Sequence, residues 1–114
     1  MQYMLLIYTD ESSWGRLSEA EQGQLYQDYT AFTEDLRQRG WYRSADQLQP
    51  IATATTVRVR DGDNLVTDGP FAETKEQLGG YYLIECDTLD EAIETAARIP
   101  SARHGSIEVR PVVS

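Results

Sequence analysis

Two segments of this sequence are apolar on both faces of a predicted strand, and this feature constrains the fold more than any other. The first, residues 2–8, reads QYMLLIY, and the second, residues 80–86, reads GYYLIEC. Alternate side chains of a strand point to opposite faces of its sheet, so both faces of these strands need cover. We therefore expect a sheet that lies between two layers of protein.

Two helices are predicted between the strands. Ser18 and Glu21 form a capping-box pattern at the start of the first helix, and Gly40 can end that helix in a left-handed conformation. Thr88 and Glu91 repeat the capping-box pattern at the start of the second helix, which a later proline terminates. Both helices therefore have defined starts and ends in the sequence.

The remaining strands are predicted at residues 41–48, 55–60, 65–67 and 106–112, and the sequence DGDN at 61–64 predicts a hairpin turn. The order of elements is that of an α+β fold, a ferredoxin-like split βαβ domain with an inserted β-hairpin. Such a fold places both helices on one face of the sheet, so the second apolar face needs another cover. We predict a homodimer whose sheets face each other around a cavity. The alternative is a monomer whose hairpin folds over its own sheet.

Length, charge and composition exclude several classes of protein. The 114 residues form one domain, and a net charge of −9 argues against nucleic acid or an anionic membrane surface as a direct partner. No apolar run approaches the ~20 residues of a membrane span, and the N-terminal segment resembles a strand and not a signal peptide, so a cytoplasmic location is expected. The single cysteine and the single histidine exclude a zinc site built from these residues within one chain, and no metal or other cofactor is expected.

A polar segment between two strands, residues 68–80, is the strongest candidate for a functional site. It reads DGPFAETKEQLGG and places four charged side chains beside a turn and a glycine pair. Asp68 has two interpretations: a functional carboxylate, or an Asx-turn in which its carboxylate accepts a backbone N–H two residues on. Glu73 and Lys75 lie two residues apart in an extended segment, so they point together either into a pocket or into solvent.

His104, the single histidine, lies between the second helix and the last strand. Imidazole changes its charge near neutral pH, which suits proton transfer, although a lone histidine is often structural. If the protein is an enzyme, we expect His104 to move a proton, Asp68 or Glu73 to orient it, and Lys75 or Arg110 to hold an anionic group. Lyase or isomerase-like chemistry without a cofactor is the corresponding reaction class.

Aromatic side chains on the strands offer walls for a cavity between facing sheets. Tyr8 and Tyr82 are the candidate ligand contacts, together with Tyr81 and Trp41, and core packing is the alternative for each of them. The expected function is therefore the binding of a small organic molecule in the cavity of a homodimer.

Several runs of the sequence resemble the DGPF branch of the YCII-related family. They are YMLLIY at 3–8, LQP at 48–50, ATTVR at 54–58, DGPFAETKE at 68–76, GG at 79–80 and ARHGSIEVRP at 102–111. The resemblance covers nearly the whole chain, and it implies a ferredoxin-like domain that dimerises into an α/β barrel.

The resemblance implies no specific reaction. The wider family is associated with a pocket that holds a histidine and an aspartate as an acid–base pair, and it includes an enzyme that removes chloride from a chlorinated hydroxyhydroquinone. Because the only histidine here lies near the C-terminus, the pairing of His104 with Asp68 is our own hypothesis. Some members of the branch are encoded beside, or fused to, extracytoplasmic-function sigma factors. A non-enzymatic sensing or interaction module, associated with such a factor, is thus the alternative function.

Overall fold

A computed structural model of the chain describes residues 1–114 and contains six strands and two α-helices. The strands are β1 (Gln2–Thr9), β2 (Tyr42–Gln47), β3 (Thr55–Arg60), β4 (Asp63–Asp68), β5 (Gln77–Glu85) and β6 (Ser106–Pro111), and the helices are α1 (Glu19–Gln38) and α2 (Leu89–Ala97). Short 3₁₀ helices span Glu11–Arg16, Ile51–Thr53 and Pro100–Arg103. None of the helices has the length and apolar character needed to cross a membrane.

The predicted ends of both helices are confirmed. Ser18 Oγ accepts the backbone N–H of Glu21 at 3.1 Å, and Thr88 Oγ1 accepts that of Glu91 at 3.2 Å. In each case the glutamate side chain bonds back to the cap residue, so both capping boxes are complete. Gly40 follows α1 with a φ of 76°, a conformation that glycine adopts without steric cost.

The strands form two separate sheets. One is antiparallel with the order β2-β5-β1-β6, and the other is the β3–β4 hairpin alone. The predicted α+β class is confirmed, and the order of the four-stranded sheet agrees with the ferredoxin-like pattern. The two strands that are apolar on both faces, β1 and β5, are the central pair of this sheet.

The hydrophobic core lies between the four-stranded sheet and the two helices. Leu5 of β1, Ile84 of β5, Leu36 of α1 and Ile99 after α2 are all fully buried. Burying a side chain of this size stabilises the fold by about 1.5–3 kcal/mol. This layer is therefore the stable part of the molecule and fixes the orientation of the sheet.

The opposite face of the four-stranded sheet, which we call the open face, has no cover within the chain. Its centre is apolar, with half-buried side chains from β1 and β5. Polar side chains of the edge strands β2 and β6 flank this centre. The open face consists of Met4, Leu6, Tyr8, Ser44, Asp46, Tyr81, Leu83, Ser106, Glu108 and Arg110.

The hairpin of β3 and β4, which we call the arm, projects from the rest of the chain. Asp61 and Gly62 join its strands. Their φ angles are 51° and 82°, and positive values at both central residues are typical of a two-residue type I′ hairpin turn. Val57, Val59 and Val66 are 61%, 59% and 65% exposed. The radius of gyration is 16.1 Å, against about 13 Å for a compact chain of this length. The arm therefore does not fold over its own sheet, so the predicted placement of the hairpin in the monomeric alternative is wrong.

Candidate functional site

The polar groups of the open face form two short networks on either side of its apolar centre. On β2, the Asp46 carboxylate accepts a hydrogen bond from the Tyr81 hydroxyl at 3.0 Å, and the Ser44 hydroxyl lies 3.3 Å from that Tyr81 hydroxyl. On β6, Arg110 pairs with Glu108 at 2.6 Å. The register places these groups opposite central strand residues, so they flank an apolar floor about two strands wide. Such a surface suits a small molecule that has an apolar body and polar ends.

A third polar group lies at the end of the sheet where β1 finishes and β5 and β6 begin. The Ser106 hydroxyl donates to Glu76 Oε1 at 2.7 Å, beside the half-buried Tyr8. Gly105 allows the start of β6 to lie close to β1, because a Cβ atom at this position would overlap the backbone carbonyl oxygen of Tyr8. The glycine in the Arg-His-Gly run is thus required by the contact of β6 with β1.

The loop between the arm and β5 is held by a chain of hydrogen bonds. Glu11 Oε2 accepts the backbone N–H of Ile51 at 3.0 Å, and the Glu11 N–H donates to Gln77 Oε1 at 3.0 Å. Gln77 Nε2 in turn donates to the carbonyl oxygen of Thr74 at 2.6 Å. These bonds fix the base of the arm relative to the four-stranded sheet.

The first 3₁₀ helix, Glu11–Arg16, follows β1 and is capped by Asp10. The carboxylate of Asp10 accepts hydrogen bonds from the hydroxyl and N–H of Ser12, at 2.7 and 3.0 Å, and these bonds lower its pKa. The positive charge of Lys75 makes a smaller contribution to this lowering of the Asp10 pKa. Lys75 is exposed and forms no ion pair within the chain.

Asp68 is exposed at the end of β4, and its carboxylate accepts no hydrogen bond within the chain. The Asx-turn interpretation is wrong, because the residue two positions on is Pro70, which has no backbone N–H. The turn is held instead by the N–H of Gly69, which donates to the carbonyl oxygen of Ala54 at 2.7 Å, and by the φ of 93° at Gly69. The side chain of Asp68 is therefore free of any structural bond in a single chain.

His104 follows the third 3₁₀ helix, and its backbone N–H donates to the carbonyl oxygen of Ser101 at 3.1 Å. Its side chain is exposed, as are those of Asp68 and Glu73. His104 forms no hydrogen bond or ion pair with either carboxylate within one chain. A single subunit therefore does not assemble the acid–base set that we expected from the sequence.

The two adjacent tyrosines of β5 point to opposite faces. Tyr81 lies on the open face, whereas Tyr82 is buried on the helix side against Phe32. The Tyr82 hydroxyl lies 2.7 Å from Thr33 Oγ1, and its ring is parallel to that of Tyr29. Burial raises the pKa of both Tyr29 and Tyr82. A site on the open face thus includes Tyr8 and Tyr81 but not Tyr82, for which core packing is the observed role.

Of the candidate ligand contacts, Arg110 and Tyr8 lie on the open face, and Lys75 lies in the loop at its end. The pair of Asp46 with Tyr81 and the pair of Ser106 with Glu76 were not found from the sequence. Their partners are 35 and 30 residues apart, so only the strand register brings them together. No three His, Cys, Asp or Glu side chains are grouped in a way that could hold a metal ion.

Comparison with known proteins agrees with the sequence patterns. The YCII-related domain matches residues 1–114. An uncharacterized protein of Rhizobium meliloti (strain 1021) is 41% identical over 114 residues, and the alignment covers 98% of this chain and 92% of that protein. The domain match spans the whole chain, and the similarity to the Rhizobium protein extends over nearly all of both proteins. The chain therefore belongs to the YCII-related family.

Proposed function

We propose that this protein is a homodimer that binds a small organic molecule in a chamber between two open faces. The observation that carries the proposal is the pattern of the open face itself. An apolar floor of Met4, Leu6 and Leu83 is flanked by hydrogen-bonding and charged groups, including Tyr81 and Arg110. Binding sites for small molecules are commonly apolar with a few polar groups that fix orientation.

The charges at the rim favour a ligand that carries an anionic or hydrogen-bond-accepting group. Arg110 is more than half exposed, and its guanidinium has unused donors although it pairs with Glu108. The Tyr81 hydroxyl on the other side donates to Asp46 and so accepts from Ser44, which leaves the Ser44 hydroxyl oxygen as an acceptor. A molecule that spans the floor therefore meets a cation at one end and a hydroxyl at the other.

The catalytic form of the proposal assigns proton transfer to His104 and its orientation to Asp68 or Glu73. Because neither carboxylate reaches His104 within one chain, this form requires the second subunit to supply the carboxylate. The reaction class would then be cofactor-independent lyase or isomerase-like chemistry. In this form, Lys75 and Arg110 hold an anionic group of the substrate.

The second candidate function is a non-enzymatic sensing or interaction module, which acts with a protein such as an extracytoplasmic-function sigma factor. The observation that favours it is the same separation of His104 from the carboxylates in a single chain. Recovery of a stoichiometric protein partner from native extract, with no small molecule bound, would support this second function over the first.

Thermal-shift measurements with small carboxylic acids and phenols test the binding proposal. We expect a subset to raise the melting temperature of the unmodified protein by several degrees at millimolar concentration, since a ligand stabilises the state that it binds. Arg110→Gln should abolish the shift for the acids, whereas Arg43→Gln, which changes an exposed arginine outside the open face, should retain it. The proposal is overturned if no compound stabilises the protein, or if both variants respond as the unmodified protein does.

A further inference from the structure

The valine-rich side of the arm is the second surface of this chain that has no cover. Directly paired residues of an antiparallel hairpin point to the same face, so Val57 and Val66 lie side by side, with Val59 beyond them. All three side chains are more than half exposed. We call this surface the valine face of the arm.

A hairpin with a bare apolar face is unstable by itself. A two-stranded hairpin is marginally stable at best in water, and it needs further strands or a packed layer against its apolar face. The arm has neither within its own chain, because β3 pairs only with β4 and the valines are exposed. Some other surface must therefore cover the valine face in the folded protein.

A second copy of the chain is the occupant that fits the size of the surfaces. With strands about 4.8 Å apart and a rise of about 3.4 Å per residue, the open face projects over roughly 400 Å² and the valine face over roughly 200 Å². A stable interface buries at least about 600 Å² on each partner. Because the accessible area of a surface exceeds its projected area, the open face and the valine face together are large enough for such an interface.

Two-fold symmetry also favours a second copy of the chain as the cover of both surfaces. In a symmetric dimer each subunit offers the same patches, so two uncovered apolar surfaces on one chain can be covered reciprocally in one interface. We propose that the valine face of each arm packs against the second subunit and so delivers Asp68 of that arm into the part of the shared chamber that the second subunit lines. This inference rests on the proposed function, because it assumes the dimer and its chamber.

Asp68 is the residue that links the arm to the chamber. Alternation along β4 places Asn64, Val66 and Asp68 on one face, with Asp68 at the base of the arm. A carboxylate at the edge of an apolar interface needs a donor or a cation to compensate for its lost hydration. Asp68 has no such group in its own chain. The site is therefore incomplete without the second subunit, which contributes the carboxylate that His104 lacks.

Two variants at adjacent positions of β4 test the packing of the arm. Val66→Asp places a charge on the valine face, and Thr67→Asp places the same charge on the opposite face of the same strand. We expect Val66→Asp to raise the dimer dissociation constant about 100-fold or more, because an unpaired charge would be buried in each half of the interface. Thr67→Asp should change the constant less than about 3-fold. Circular dichroism of both variants checks that the four-stranded sheet is intact.

Sedimentation of the unmodified protein and of these two variants tests the proposed dimer and the proposed arm contact separately. An unmodified protein that sediments as a single chain overturns both the proposed dimer and the arm contact. A dimer that Val66→Asp leaves unchanged overturns the arm contact alone. A dimer that Thr67→Asp weakens as strongly also overturns it, because the effect would not depend on the valine face.

Thiol labelling tests the delivery of Asp68. Asp68→Cys and Asp63→Cys place thiols at the two ends of β4 on opposite faces, and both positions are exposed in a single chain. With a bulky maleimide, we expect the thiol of Asp68→Cys to react about 10-fold more slowly than that of Asp63→Cys in the dimer, and at a similar rate when Val66→Asp is added. Equal reaction rates of the two thiols in the dimer would overturn the proposed placement of Asp68 in the chamber. The native Cys86 is buried, and its slow reaction is measured in the unmodified protein.

Discussion

The four-stranded sheet and the arm are built from similar strand-forming residues, but they differ in what covers them. On the helix side of the sheet, Leu5 and Ile84 are fully buried, whereas Val57 and Val66 of the arm are about two-thirds exposed. The helices of the chain cover one face of the sheet, whereas no layer of the chain covers the valine face of the arm. This difference supports our proposal that the chain folds one part alone and completes the other part on a second subunit.

Truncation of a core residue should give the largest effect. Leu5→Ala removes a fully buried side chain between the sheet and the helices, and we expect it to lower the free energy of unfolding by about 2–5 kcal/mol in urea denaturation. The matched arm variant is Val57→Ala in the monomeric Val66→Asp background, where the cost should stay within about 0.5 kcal/mol. Comparable costs would show that the arm is packed within its own chain.

The close contact of β6 with β1 gives the next effect. Gly105→Ala forces a Cβ atom into the carbonyl oxygen of Tyr8, and we expect a loss of about 1–3 kcal/mol of stability in the same denaturation experiment. Gly79→Ala is the control, because a Cβ there meets only Thr9 Oγ1 at an ordinary contact distance of 4.0 Å. A neutral Gly105→Ala variant would contradict the strand pairing at this end of the sheet.

The buried tyrosines give the smallest effect, and it depends on pH. Burial raises the pKa of Tyr82 above its ordinary value of about 10, so the folded state keeps the proton while the unfolded state loses it. The stability that Tyr82 contributes is therefore complete below pH 10 and is lost as the pH rises through the raised value. Tyr82→Phe should cost about 1 kcal/mol at pH 7, where the hydrogen bond to Thr33 is lost, and less at pH 11. Urea denaturation at the two pH values measures the difference, and equal costs would contradict it.

Local sequence signals predicted the elements of the fold. Both capping boxes and the glycine after α1 act within a few residues, so the sequence defines them without knowledge of the rest of the chain. The alternation of apolar residues in β1 and β5 correctly predicted a sheet with two apolar faces. The signal for the hairpin turn was also local, since an Asp-Gly pair favours the two positive φ angles found at Asp61 and Gly62.

The candidate site was harder to predict, because it depends on register. Alternation shows that Tyr81 and Tyr82 lie on different faces, but only the pairing with β1 and β2 decides which of them meets the helices. An extra residue in β2 between Tyr42 and Ser44 shifts the pairing of β2 with β5 by one position. This shift places Asp46 opposite Tyr81. The wrong interpretation of Asp68 had a local cause, since the proline two residues later removes the required donor.

Sedimentation equilibrium of the unmodified protein at micromolar concentration tests most directly whether a second subunit covers the open face and the valine face. We expect a single species of twice the 12.9 kDa mass of one chain. A folded species with the mass of one chain would mean that the open face and the valine face are both stable in water. That result would contradict the proposed dimer.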